Sequence, residues 1–171
     1  MSEIETGLFT PEPDLQAAIL GHIAAHGCAV THIPDPAVPD RSYSASVGFE
    51  TNAQQPEVLI YGLEKPLAES MINEVFRQCK EDGLELEDGT KLGNLIEGFD
   101  CVARTIEDAR ARFTHLAYAN WYQTSKHDAP ISRGMQIVWP DPKTRAFPWE
   151  ADCSTQVRNW QTPLYPAGPP A

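Results

Sequence analysis

No apolar run in this sequence approaches the roughly 20 residues that a membrane-spanning helix needs. There is no CxxC pair, no HExxH, no Gly-rich phosphate loop and no dinucleotide fingerprint. Their absence removes the commonest metalloprotease and nucleotide-binding readings. The opening residues, MSEIETGLF, are acidic and lack the charged-then-apolar pattern of a signal peptide. Cationic side chains are also scarce, 13 Lys and Arg against 24 Asp and Glu, for a net charge of −11. A surface of that sign repels phosphate backbones, and no basic patch offsets it, so neither nucleic acid nor a membrane is expected as a partner. The four cysteines, Cys28, Cys79, Cys101 and Cys153, are widely spaced, which suits reduced core residues better than a disulfide framework. A cytoplasmic protein is the expectation.

What is present is a chain of single-domain length with the apolar content of a globular protein. Residues 1–9 read as a flexible lead. Pro11, Pro13 and Asp14 suit a helix start, and the helix runs to about Ala25 before Gly27. Leu15, Ile19 and Ile23 share one face, with His22 and His26 beside Leu15. Cys28–Ile33 reads as a strand. Ser42–Phe49 alternates strictly: Tyr43, Ala45, Val47 and Phe49 on one side, Ser42, Ser44, Ser46 and Gly48 on the other. After a polar turn, Glu57–Tyr61 is a short buried strand. Pro66–Asp82 is the strongest helix, with Leu67, Met71, Val75 and Cys79 in one row and Ile72 and Phe76 beside them. Asp88-Gly89 suits a hairpin turn between Leu84–Leu86 and Lys91–Ile96. Phe99–Arg104 reads as another strand and Glu107–Tyr122 as a third helix.

The densest stretch is Met135–Glu150, MQIVWPDPKTRAFPWE. Pro140-Asp141-Pro142 must end the first strand, because proline fixes φ and denies a ladder donor. A hairpin is expected, with Phe147–Trp149 as its second extended piece. Ala151–Ala171 then reads as an extended strap ending in a Pro-rich, frayed tail over 165–171.

With these segments in view, the chain resembles the domain-of-unknown-function family 4262, small bacterial proteins without an established activity. The resemblance rests on Tyr43-x-x-x-Val47-Gly48-Phe49, Pro56-Glu57-x-x-Ile60-x-Gly62-Leu63 and Gln136-x-Val138-Trp139-Pro140-Asp141. Phe147-Pro148-Trp149-Glu150 and Gln161-x-Pro163-Leu164 complete it. The chain departs from that pattern at Cys28, where an aromatic is expected, and at Gln55, where a His often precedes Pro-Glu. The resemblance implies one domain over about 10–164 and no particular mechanism.

Several constellations could carry chemistry. Glu57, Asp141 and Glu150 are the acidic residues inside those motifs and candidate catalytic groups, since two carboxylates brought together can do acid–base work or hold a cation. The structural alternative makes Asp141 a turn residue and pairs Glu150 with Arg145. Tyr43, Ser44, Ser46, Gly48, Gln136, Trp139 and Trp149 are candidate ligand-binding residues, on a small hydroxylated strand face and the aromatic stretch opposite it. Ser44-Ala45-Ser46-Val47-Gly48 lacks the first glycine of a nucleophile elbow and sits inside a strand. His22, His26, Cys28 and His32 have the residue types of a tetrahedral metal site without the spacing of a known one; half-packed histidines beside a core cysteine are the alternative. The serine face and Pro-Glu also share a loose pattern with flavin-reductase-like split barrels, without an identifiable phosphate-binding Arg or Lys.

The expected fold is α+β, a single domain with an antiparallel or mixed sheet covered by about three helices. Two functions remain in play. One is a non-catalytic accessory domain that binds a small molecule or a protein partner, with its pocket between Ser42–Gly48 and the Trp139–Trp149 hairpin. The other is a small enzyme using a carboxylate pair with a flavin or a divalent metal. No cofactor and no oligomeric state is legible.

Overall fold

Glu57–Tyr61 is apolar at all but its first position, and a run of that kind needs cover on both faces. In the computed structural model, which describes residues 9–38 and 41–171, it lies inside a six-stranded sheet and is buried throughout. In chain order the elements are α1 (Pro13–His26), β1 (Ala29–Ile33), β2 (Tyr43–Val47), α2 (Phe49–Ala53), β3 (Glu57–Tyr61), α3 (Lys65–Glu81), β4 (Lys91–Ile96), β5 (Phe99–Thr105), α4 (Ala109–His115), α5 (Ala117–His127), β6 (Gly134–Val138) and α6 (Thr155–Trp160). The strand order is β1-β2-β3-β6-β5-β4. Only β3 and β6 run parallel; every other neighbour pair is antiparallel. The fold is therefore α+β with one mixed sheet. Apart from Phe9, the expected lead lies outside the described residues.

The alternation in β2 sorts the two faces. Tyr43, Ala45 and Val47 point to the side covered by α1, α4 and α5, where Leu59, Tyr61, Leu116, Ala119 and Tyr122 pack with them. The other side takes α3, whose Met71, Ile72, Val75 and Phe76 are buried against Val58, Ile60, Leu92, Met135 and Ile137. Burying each of those four α3 side chains contributes about 1.5–3 kcal/mol before ordering costs. All four cysteines are reduced.

Four local expectations change. Phe49–Thr51, taken as strand end and polar turn, instead starts α2: Gly48 adopts φ 104°, which turns the chain, and the Glu57 carboxylate accepts the first amides of the helix. The expected helix over 107–122 is two, α4 and α5, because Leu116 leaves helical geometry at φ −109°, ψ 39°. The hairpin turn lies at Glu97-Gly98, where Ile96 pairs with Phe99; Asp88-Gly89 turns the chain ahead of β4. The Met135–Glu150 stretch is one strand, β6, followed by turns, because Asp141 closes the chain on itself. Its N–H donates to the Ala146 carbonyl and its own carbonyl accepts from Arg145 N.

The strap is not uniformly extended. Ser154 caps α6, accepting from Val157 N, and residues 161–168 then cross the sheet. Buried side-chain amides hold the strap. Gln136 donates to the Thr162 carbonyl and accepts from Leu164 N, while Gln161 exchanges two hydrogen bonds with the Trp139 backbone. Gly62, at φ 78°, has no room for a Cβ, which would sit 2.6 Å from the Trp160 carbonyl.

Residues 165–171 are tied down where the sequence suggested a frayed tail. Arg104, 2% exposed, pairs with Asp88 at 3.1 Å and donates to the carbonyls of Gly168 and Pro166. Its guanidinium lies over the rings of Trp149 at 4.6 Å and Tyr165 at 4.4 Å. A planar cation can stack on two rings and donate in its plane at once, which lysine cannot. Replacing Arg104 by Ala is expected to cost about 3 kcal/mol in chemical denaturation and to raise hydrogen exchange across 165–171 selectively. Unchanged exchange in that segment would contradict this anchoring.

Candidate functional site

The three candidate carboxylates are not brought together. Glu57 opens β3 opposite Gly134, the first residue of β6, whereas Asp141 and Glu150 follow the far end of β6, a strand's length or about 15 Å away. Each is occupied. Glu57, 1% exposed, accepts from Ser46 Oγ at 3.0 Å, Phe49 N at 2.9 Å and Glu50 N at 3.3 Å. Burial pushes its pKa up to about 7 against those three hydrogen bonds. Asp141 accepts from Ser154 N and Lys143 N, each at 2.9 Å, and these backbone donors hold its pKa below the usual carboxylate range. Glu150 accepts from Phe147 N. Arg145, the expected partner of Glu150, donates instead to the Gly98 carbonyl and lies over Phe99.

The candidate ligand-binding residues also separate, because β3 stands between β2 and β6 and the two faces of β2 point apart. Ser44 and Ser46 are buried. Ser44 Oγ meets His32 Nδ1 at 3.0 Å, and Ser46 Oγ accepts from Val58 N while donating to Glu57. Gly48 is packed within 3.2 Å of the Gly27 carbonyl, as measured to the Cβ it lacks. Tyr43 points to the other face, where its hydroxyl donates to the His115 carbonyl and burial raises its pKa. Gln136 and Trp139 clamp the strap and the end of β3: Trp139 Nε1 donates to the Tyr61 carbonyl at 2.9 Å. Trp149 stacks on Phe147 and belongs to the Arg104 box. These are structural contacts in every case.

A different set of residues does converge. A cleft of about 580 Å3 opens where the outermost strand, β1, lies between α1 and α3. Cys28, Ala29, Val30 and Phe76 form its floor; His22 and His26 of α1 stand on one wall, Lys65, Glu69, Asn73, Arg77, Lys80 and Glu81 of α3 on the other. Gly27, at φ 90°, produces this arrangement by ending α1 and turning the chain directly into β1. The histidine rings are 6.3 Å apart and exposed. Arg77 is committed to Glu74, Glu81 and Asp82. Lys80 reaches across to the Asn52 carbonyl, and Cys28 Sγ donates to Asn73 Oδ1.

Three of the four proposed metal ligands thus border one cleft, but not as a ligand set. His32 turns to Ser44, and burial together with the nearby Glu57 pushes the Cys28 thiol up to about 12, so it stays protonated. Among the described residues no three His, Cys, Asp or Glu side chains are placed to hold a metal ion. Burial, and then the charge of Lys65, lower the pKa of His32.

The α3 wall lies beside the apolar row of that helix and belongs to no recognised motif. The signal was present: Lys65, Glu69, Asn73 and Arg77 recur every four residues, one continuous polar ridge.

Among the described residues no helix is long and apolar enough to cross a membrane. No curated protein and no solved structure matches the chain. One family model does, over residues 22–154, which spans β1 to β6 together with the Asp141 turn and the C-terminal part of α1. The chain belongs to the family described as Domain of unknown function (DUF4262).

Proposed function

We propose that this chain is a binding protein and that its ligand site is the cleft between α1, β1 and α3. The observation that carries the reading is convergence. α1 and β1, joined at Gly27, and the distant α3 direct imidazoles, an amide and charged groups of both signs around a floor of Cys28, Ala29, Val30 and Phe76, a concave site with convergent polar groups. The competing reading, an enzyme built on a carboxylate pair with a flavin or a divalent metal, finds its acidic groups apart and engaged by backbone amides. Glu57, whose pKa burial pushes up to about 7, has no surface to offer a substrate.

A thermal-shift screen of amino acids, dicarboxylates, nucleotides and short peptides tests the site. Asn73→Trp fills the cleft from an exposed helical position, so the fold should persist. At least one class is expected to raise Tm in the parent protein and not in N73W. Equal shifts in both proteins, or none in either, would overturn the proposal.

Glu57 supplies an independent check on the enzyme reading. Its folded pKa, about 7, lies above the ordinary 4.5. Between those values the folded chain keeps the proton and the unfolded chain releases it, so stability falls as pH rises through that window. Chemical denaturation across the window should show up to about 3 kcal/mol of this slope, and Glu57→Gln should flatten it while leaving ligand binding in the cleft intact. A variant with the parent's slope would show that Glu57 titrates like an ordinary carboxylate.

A further inference from the structure

The two helices that wall the cleft are held to the sheet very differently. On α3, Ala68, Met71, Ile72, Val75 and Phe76 are buried; on α1 only Ile19 is. Ile19 and the half-buried Ile23 pack with Ala29, Val47 and Tyr122, and Phe9, ahead of the helix, rests edge-on against Tyr118 at 5.0 Å. The rest of α1 faces outward, with Leu15 38% and Leu20 43% exposed. Among the described residues α1 makes no ion pair, and its one side-chain hydrogen bond, from Gln16 to the Pro11 carbonyl, is local. A helix with so few buried contacts can open while the rest of the fold stays closed.

The polar fastening of α1 comes from one residue of another helix. Asn52, in α2, donates from Nδ2 to the Gly27 carbonyl at 2.7 Å, where α1 ends. Its own main-chain carbonyl accepts from Lys80 Nζ of α3 at 2.8 Å, so one residue joins both walls of the cleft. Gly27 is the turning point between α1 and β1. It lies at φ 90°, and a Cβ there would sit 2.8 Å from the ring of Phe76 in the cleft floor. The post that carries the fastening is itself fixed. Glu57 holds the first amides of α2, Glu50 accepts from Ser132 N, and Thr51 donates to Gln123.

We propose that α1 is a hinged wall of the cleft, turning about Gly27 and latched shut by Asn52. This rests on the binding reading above and names how that site is gated. With the latch made, His22 and His26 stand beside Cys28, which is 3% exposed. With it broken, Ile19 and Ile23 leave Ala29 and Val47, and the floor from Cys28 to Val30 is uncovered to an entering molecule. The anchored α2 and α3 stay in place, so the wall swings without unfolding the sheet.

The test uses the full chain and needs no ligand. Hydrogen exchange read by mass spectrometry should show α1 opening while α3 and β6 remain protected. Asn52→Ala removes the donor, and Asn52→Asp keeps the size of the side chain but sets an acceptor against the Gly27 carbonyl. Each variant should speed exchange across α1 about tenfold, as the loss of one hydrogen bond implies, and leave α3 and β6 unchanged. Labelling with N-ethylmaleimide, mapped cysteine by cysteine, should reach Cys28 through the same opening and rise about tenfold there in both variants. Cys101, 0% exposed inside the sheet, should label no faster. Exchange of α1 no faster than that of α3 in the parent, or a Cys28 rate that both variants leave unaltered, would overturn the hinge. So would a joint rise at α1, α3 and Cys101, because Asn52 would then support the whole fold. A hinge that meets these expectations over a cleft that takes no compound in the thermal-shift screen would stand while the binding reading fell. A cleft that binds while α1 stays shut would do the reverse.

Discussion

Backbone amides and carbonyls must be paired wherever water is excluded, and an open sheet leaves two rows of them at its edges. Most of this structure follows from how those rows, and the polar groups on the sheet faces, are satisfied. The inner strand β6 has both edges occupied, by parallel β3 and antiparallel β5. The chain after α6 returns across a face, and side chains supply hydrogen bonds to its backbone there. Gln136, Gln161 and Arg104 are the buried groups that provide them, and each serves the strap 161–168. Their burial is affordable only because every amide and guanidinium nitrogen reaches a carbonyl or carboxylate.

Glu57 does the corresponding task at the other end of β3. One carboxylate joins β2 through Ser46 to the first turn of α2. The cost is a charged group held away from water, which is why its affinity for a proton rises. A carboxyl so placed is well explained as a cap on a tight strand-to-helix turn, and its near-neutral titration is a by-product of that position. Perturbed carboxylates often mark active sites; here the hydrogen-bond partners identify a structural tie instead.

How much the sequence disclosed depended on whether the cause was local. The period-two pattern sorted the faces of β2 from Tyr43 to Val47, although Phe49, expected on their side, packs against Phe76 on the α3 side. The apolar row of α3 was legible from Met71 onward, with Leu67 exposed, and so was the turn at Asp141. Elements fixed by distant partners were not. The helix α2 depends on a carboxylate eight residues downstream, and Leu116 breaks a helix that periodicity alone would continue. The Pro-rich tail looked free because Arg104, which anchors it, lies 62 residues before Pro166. The cleft was half visible: His22, His26 and Cys28 stood out by residue type, but the facing wall is the polar side of a helix in a distant part of the sequence.

The two ends of the sheet thus divide the work. Around β6 and β5, dense aromatic and amide contacts close the fold, and at β1 the edge stays open beside a polar cleft. The cleft beside β1 is where we propose that another molecule binds. Amide chemical-shift mapping on isotopically labelled protein, titrated with the tightest-binding compound or peptide from the screens, tests it most directly. The largest shifts are expected at His22, His26, Cys28 through Ile33, and along α3 from Lys65 to Lys80. Shifts centred instead on Trp149, Trp160 and the strap would place the ligand at the other end of the sheet and contradict the account.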